Sequence, residues 1–309
     1  MHVIEVENLT KDYGSGRGVF DVSFHIDEGE VFGFLGPNGA GKSTTIRHLM
    51  GFSKPDSGIA KIDGRDTFSR YYEVLKDVGY IPGEITLPAG LTGWEFLRMM
   101  QDMQGKKNED RLNYMLQLFE LKDTELKGET KRMSLGVKRK LAVVAANMSD
   151  PGVLILDEPT SGLDPVMQEN FIEFIHKEKK RGKTILLSSH IFSEIDSTCD
   201  RIAIIKDGKV VSQFIADELK HATRKFYSIE FFSPQDLKAF LEESKKINSF
   251  SLTGCVETKC FASIEDRDLN QLVAILSGLD VKSFSNRKES LEDYFMKFYK
   301  EEKDFKGAL

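Results

Sequence analysis

The spacing of apolar residues changes along the chain, and each change marks an element. Val3-Ile4-Glu5-Val6 alternates, and Val19 to Ile26 alternates again. A period of two is that of a strand with one buried face. Between them lie Leu9 to Tyr13 and a flexible Gly14-Ser15-Gly16-Arg17-Gly18, and the turn Asp27-Glu28-Gly29-Glu30 follows. The chain therefore opens on β-hairpin material. Val31-Phe32-Gly33-Phe34-Leu35 reads as a buried strand, and Val153-Leu154-Ile155-Leu156 is a continuous apolar run, as in a strand covered on both faces. Thr184 to Leu187 is the next strand. Helices are predicted over Thr44–Met50, from Ser134 as N-cap through Ala146, and over Val166–Arg181. Short strands are predicted at Gly58–Gly64 and Val78–Ile81, and Ile202–Ile205, Asp207-Gly208 and Val210-Val211 form a closing hairpin. Alternating strands and helices predict an α/β core with a mainly parallel sheet.

From Leu91 to about Lys131 the texture is helical, with Phe96-Leu97, Met99-Met100 and Met103 on one apolar side and Leu112, Met115-Leu116 and Leu118-Phe119 on another. This is a helical insert, most of its methionines expected in the core. After about Lys220 a second unit begins. Its order is strand Phe226–Phe232, helix Pro234–Lys246, strands Phe250–Val256 and Cys260–Ile264, helix Asp268–Leu279, strand Val281–Phe284 and helix Leu291–Tyr299. That order predicts a small ferredoxin-like α+β domain, whose Phe295, Phe298 and Tyr299 either close its own core or dock on a partner.

The phosphate chemistry sits at the strand ends. Gly36-Pro37-Asn38-Gly39-Ala40-Gly41-Lys42-Ser43-Thr44 fits G-x-x-x-x-G-K-[ST], between a buried strand and a helix. Glycines let backbone N–H groups turn inward as an anion nest, and the helix N-terminus adds its dipole. Lys42 reaches β- and γ-phosphates, and Ser43 offers its hydroxyl to Mg²⁺. Asp157 ends the apolar run and suits Mg²⁺. Glu158 follows, placed to orient water, and His190 follows another strand, placed to contact the γ-phosphate or that water. Such sheets bind ligands beyond the carboxyl ends of their strands. The implied reaction is attack of water on the γ-phosphate of a Mg²⁺-bound nucleotide. No guanine-reading Asn/Thr-Lys-x-Asp segment is present, so ATPase is preferred to GTPase. Tyr13 either stacks on adenine or simply packs.

Composition adds limits. The 309 residues are 40% hydrophobic and 30% charged, with formal charge −6 and pI about 5.7, which gives no general attraction to nucleic acid. The run Lys177-Glu178-Lys179-Lys180-Arg181 reads as a solvated helix end. Cys199, Cys255 and Cys260 make no disulfide framework, although Cys255 and Cys260 are near enough in sequence to touch. No apolar run reaches membrane-spanning length and no secretory signal is expected.

These residues together resemble the nucleotide-binding subunit of an ATP-binding-cassette (ABC) transporter, over about residues 1–220. The resemblance implies a P-loop NTPase core with an antiparallel β subdomain, a helical subdomain at about 84–150, and an accessory domain at 221–309. It makes Glu158 the catalytic carboxylate, with Lys42 and His190 beside it. Ser43 and Asp157 become the Mg²⁺ ligands, and Tyr13 the adenine contact. It implies a head-to-tail dimer, each ATP lying between one phosphate loop and the other copy's signature helix. Pro159-Thr160-Ser161-Gly162-Leu163-Asp164 resembles the segment containing the loop named for its aspartate, and the resemblance makes Asp164 a nucleotide-contacting residue. The signature departs from the family's Leu-Ser-Gly-Gly-Gln: it reads Met133-Ser134-Leu135-Gly136-Val137 and keeps Ser134 and Gly136. Gly83 stands where the family has Gln, with either Glu84 or a water taking over part of the task. The phosphate-loop wording, Leu163-Asp164-Pro165 and Ser290-Leu291-Glu292-Asp293-Tyr294-Phe295 are similar to bacterial bacitracin-type and multidrug exporter ATPases. That subgroup implies a peripheral subunit on the cytoplasmic face of the membrane, beside a separate permease whose coupling helix meets about residues 84–105. An importer motor, or a soluble nucleotide-switched regulator acting on nucleic acid or ribosomes, is the alternative; no nucleic-acid partner is expected.

Overall fold

The computed structural model describes residues 1–220, 224–287, 291, 292, 294–296 and 298. It divides into two compact units, Met1–Ala216 and Asp217–Leu309.

In the first unit a six-stranded sheet runs in the order Lys209–Ile215, Arg201–Lys206, Val31–Leu35, Thr184–Ser189, Val153–Asp157, Val78–Ile81. Its pairings are parallel except that of Lys209–Ile215, which returns antiparallel through the Asp207-Gly208 hairpin. Every residue of Val31–Leu35, Val153–Asp157 and Thr184–Ser189 is buried. Both faces are covered, so these strands have no polar alternation. The register sets Leu35 against Ser189, Asp157 against Ser188 and Ile81 against Leu156. The loops after these strands therefore leave one end of the sheet together.

A four-stranded antiparallel sheet, ordered Gly18–Asp27, His2–Asp12, Ser57–Ile62, Arg65–Asp66, packs its alternating apolar residues on the same core. Phe24 stacks on Phe32 at 5.2 Å between ring centres and meets Phe34 at 5.4 Å. Ile46 and Leu49 of the helix Lys42–Leu49 join this cluster. Each such side chain contributes roughly 1.5–3 kcal/mol on burial, so the core fixes where that helix starts.

The insert consists of helices Gly93–Gln104, Glu109–Leu118 and Asp123–Leu126, a 3-10 turn at Thr130–Arg132, and the helix Leu135–Asn147. Thr92 and Glu95 form a capping box, and Asn108 caps the second helix. Phe96 and Leu97 are buried, but Met103 is 75% exposed and does not belong to the core. Its helix turns that position outward with Arg98 and Asp102.

The Lys177–Arg181 run is less solvated than its composition predicts. Glu178 is 1% exposed and lies 2.8 Å from Arg111 Nη2, 2.9 Å from Arg181 Nη1 and 3.4 Å from Lys183 Nζ. Arg181 also pairs with Asp150 at 2.6 Å. The cluster joins the insert's second helix, through Arg111, to the helix Pro165–Lys180.

The second unit follows β-α-β-β-α-β. Its sheet runs in the order Ser251–Val256, Lys259–Glu265, Arg224–Phe231, Val281–Arg287, antiparallel throughout. With helices Pro234–Glu243 and Leu269–Leu276, this is the ferredoxin-like arrangement. Tyr227, Ile229, Phe231, Phe240 and Leu272 form its core. Cys255 faces Cys260 across the ladder, and all three cysteines are free. The described residues of the last predicted helix are helical, with Phe295 buried and Phe298 half-buried. Ser290, Asp293 and Tyr299 lie outside the described residues.

Candidate functional site

The loop 36–41 leaves the strand Val31–Leu35 and ends at Gly41, the N-cap of the helix Lys42–Leu49. Gly41 has φ +114°, and a Cβ there would lie 2.9 Å from Val19 Cγ1 and 3.1 Å from Ile205 Cδ1. Only glycine takes that turn without strain. The helix has no side-chain cap, and its first-turn N–H groups, carried by Lys42, Ser43 and Thr44, meet no side-chain acceptor among the described residues. Pro37, Asn38 and Gly39 are exposed at the loop tip, whereas Gly36 and Ala40 are buried at its base. Lys42 is 4% exposed, and its Nζ donates to Gly36 O at 2.7 Å and Pro37 O at 3.2 Å. Uncapped amides and a buried ammonium in one loop fit a polyphosphate.

The next strands bring the acids. Asp157 is 2% exposed, and one carboxylate oxygen accepts a bond from Ser188 Oγ on the adjacent strand. Glu158 leaves the strand at φ +46°. Its N–H donates to Ser188 O at 3.1 Å and Ser188 Oγ at 3.2 Å, which hold this left-handed turn. The turn carries Glu158 Oε1 to 3.1 Å from Lys42 Nζ and Oε2 to 3.3 Å from His190 Nδ1. Burial pushes the Glu158 carboxyl up, but the Lys42 bond and charge and the neighbouring His190 outweigh it and hold the group below the usual glutamate range. His190 is itself 45% exposed, at the end of Thr184–Ser189. The turn beneath it is fixed by Ser189 Oγ, which donates to buried Glu194 at 2.5 Å and accepts from Ile191 N–H at 2.9 Å.

A second group of predicted residues gathers elsewhere in the unit. Ser134 caps Leu135–Asn147, its Oγ accepting from Val137 N–H at 3.3 Å. Leu135 is 56% exposed and would touch a side chain at Gly162, and Gly136 faces the Gly162 carbonyl. Asp164 caps Pro165–Lys180 by accepting from Met167 N–H at 3.0 Å. The signature turn and the segment 159–164 thus pack together. Tyr13 is 54% exposed, with Lys11 Nζ 5.8 Å from its ring centre. Glu84 is exposed, while Gly83 lies against Asp157: a Cβ on Gly83 would be 3.1 Å from Asp157 Oδ2.

Three residues escaped the sequence reading. Ser188 and Glu194 orient Glu158 and His190. Arg139, 2% exposed, donates to Pro82 O, Gly83 O and Ser161 O. Nothing in Lys138-Arg139-Lys140 distinguishes its middle residue from two neighbours that are half-buried.

Known proteins carry the same organisation. The family model described as "ABC transporter" matches residues 19–161. The chain is 33% identical over 296 residues to the Bacitracin transport ATP-binding protein BcrA of Bacillus licheniformis, covering 96% of each. It is 31% identical to the Nod factor export ATP-binding protein I of Burkholderia orbicola (strain AU 1054), covering 95% of this chain and 96% of that one. A solved structure described as "Structure of ATP binding subunit of ABC transporter" superimposes with TM-score 0.66 at 33% identity, covering 71% of this chain and 92% of the other. With these likenesses and a phosphate loop facing buried Asp157 and half-buried Glu158, the chain belongs to the ABC transporter family, as an ATP-binding and ATP-hydrolysing subunit.

Proposed function

We propose that this subunit powers an exporter. Two copies close head to tail over two ATP molecules, and their opening after hydrolysis drives a separate membrane permease. The observation that carries the dimer is the division of the predicted residues between two places. The phosphate loop, Asp157, Glu158 and His190 form one, and the exposed turn of Ser134, Leu135 and Gly136 with Asp164 forms the other. A second copy supplies the latter group to the former, with the helix N-terminus at Ser134 facing the γ-phosphate. Dimers coupled to permeases are typical of the family. Support for export comes from full-length likeness to a bacitracin-transport protein and a Nod factor export protein.

Within the site, the loop N–H groups and Lys42 neutralise phosphate oxygens. Mg²⁺, when bound, draws charge from the phosphates; the Ser43 hydroxyl and the Asp157 carboxylate suit it as hard oxygen ligands. Lys42 leaves Glu158 for the phosphates, which frees the Glu158 carboxylate to orient water and accept its proton. His190 keeps that carboxylate in line and meets the γ-phosphate from the other side. Tyr13 offers its exposed ring to adenine. Among the described residues no helix is long and apolar enough to cross a membrane, so attachment to the cytoplasmic face runs through the permease.

The test is affinity purification of this chain from gently solubilised host membranes, with identification of co-purifying proteins. A stoichiometric multi-helix membrane protein, with ATPase activity in the complex, is expected. Recovery with ribosomes or nucleic acid and no membrane protein contradicts the proposal.

A further inference from the structure

One buried cation is bound to the proposed acidic centre through main chain alone. Arg139 is the fifth residue of the helix Leu135–Asn147 and is 2% exposed. Its Nε donates to Ser161 O at 3.0 Å, its Nη1 to Pro82 O at 3.0 Å and its Nη2 to Gly83 O at 2.8 Å. A planar guanidinium fixes these carbonyls relative to one another; the single rotatable ammonium of lysine does not. Burying such a charge is costly unless its donors are met, and here they are met by carbonyls of two loops. Pro82 and Gly83 follow the strand Val78–Ile81, and Ser161 lies four residues after Asp157, at the end of the adjacent strand. Asp157 lies against the first of these loops, its Oδ2 3.1 Å from where a Cβ on Gly83 would be. Desolvation weakens the hold of Arg139 on its proton, and the Glu158 and Asp157 charges oppose that loss.

We infer that Arg139 is a positioning residue for hydrolysis: it locks the signature helix to the two loops flanking Asp157 and Glu158, and so sets both acids in step with that helix. Gly83 brings no side chain of its own to the site. In this chain the loop is therefore held by its carbonyls, from the helix side. Movement of Leu135–Asn147 is transmitted to the Gly83 main chain against Asp157 and, through Ser161, to the turn that begins at Glu158. The phosphate loop takes no bond from Arg139, so nucleotide binding is spared.

The inference rests on Asp157 and Glu158 as the acidic centre, and its test separates the two claims. Mg-ATP turnover of the full chain is measured as kcat and KM for the parent, Arg139→Met, Arg139→Lys and the control Glu158→Gln, with melting temperatures alongside. A displacement on the order of 1 Å at a reacting group reduces rate about 10- to 100-fold. Arg139→Met is expected to lose that much kcat with KM within about 3-fold of the parent. Arg139→Lys keeps charge and burial and is expected to fall between them, with the parent's melting temperature to within about 3 °C. Should Arg139→Met fail to fold, Arg139→Lys decides alone: lowered kcat at unchanged KM supports the inference, and parental kcat overturns it. A plain structural strut gives the second pattern, a lowered melting temperature in Arg139→Met beside parental kcat in Arg139→Lys. If Glu158→Gln turns over like the parent, the acidic centre itself is misassigned. If Glu158→Gln is silent while both Arg139 variants match the parent, only the role of Arg139 falls.

Discussion

Replacing Lys42 with methionine tests whether one ammonium serves two sets of acceptors. It donates to Gly36 O at 2.7 Å and Pro37 O at 3.2 Å and lies 3.1 Å from Glu158 Oε1. Bonds to charged groups contribute roughly 1.5–3 kcal/mol each. Glu158 is 21% exposed and keeps His190, so water and imidazole replace part of what it loses. The expected net loss for Lys42→Met without nucleotide is about 2 kcal/mol. On the proposed function the ammonium turns to phosphate oxygens when ATP binds, and its absence there should raise Kd about 100-fold, near 2.7 kcal/mol. At a nucleotide concentration about 100 times the parental Kd, linkage stabilises the parent by about 2.7 kcal/mol but the variant by about 0.4 kcal/mol. At about 2–4 °C per kcal/mol, saturating nucleotide should raise the parent's melting temperature by about 5–10 °C and the variant's by about 1 °C. Differential scanning calorimetry with and without Mg-ATP reads both quantities. A variant that still gains the parent's full shift refutes the placement of phosphate on Lys42.

Two further outcomes are expected. Arg111→Met takes from Glu178, which is 1% exposed, its partner at 2.8 Å and leaves Arg181 and Lys183, so stability in urea should drop by about 2 kcal/mol; a loss below about 1 kcal/mol would mean that Arg181 and Lys183 already satisfy that carboxylate. Acid should erase part of the Lys42 effect. Neighbours hold Glu158 below its ordinary value of 4.5, so its contribution is complete above that pH and is lost as pH falls through the depressed value. The stability gap between parent and Lys42→Met should therefore narrow as pH falls below the ordinary glutamate value, and a constant gap through acid would contradict the pairing.

Much of this was legible in the residues because the relevant signals are local. Val153–Leu156 is apolar without interruption because its strand is covered on both faces, and the phosphate loop announces itself by glycines that a turn at φ +114° demands. The order of the second unit's strands and helices was enough to give its sheet. The helix after the loop starts at Lys42 rather than Thr44, because Gly41 ends the turn and serves as N-cap. What the sequence hides is non-local. Arg139 sits in a basic run, and its burial depends on carbonyls 22, 56 and 57 residues away. Glu178 looks like one of several charges at a helix end until Arg111 arrives from a different helix. Met103 shares the apolar composition of its helix yet faces outward, because composition does not say which flank of a helix its neighbours cover.

The central claim is that Glu158 is the group that turns bound ATP into products across a closed pair of chains. Size-exclusion chromatography with light scattering, run on Glu158→Gln with Mg-ATP and with Mg-ADP, tests it most directly. The variant should bind ATP, lose at least about 100-fold in turnover, and elute as a dimer with ATP but as a monomer with ADP. A variant that hydrolyses ATP at the parental rate, or stays monomeric with ATP bound, would contradict the account.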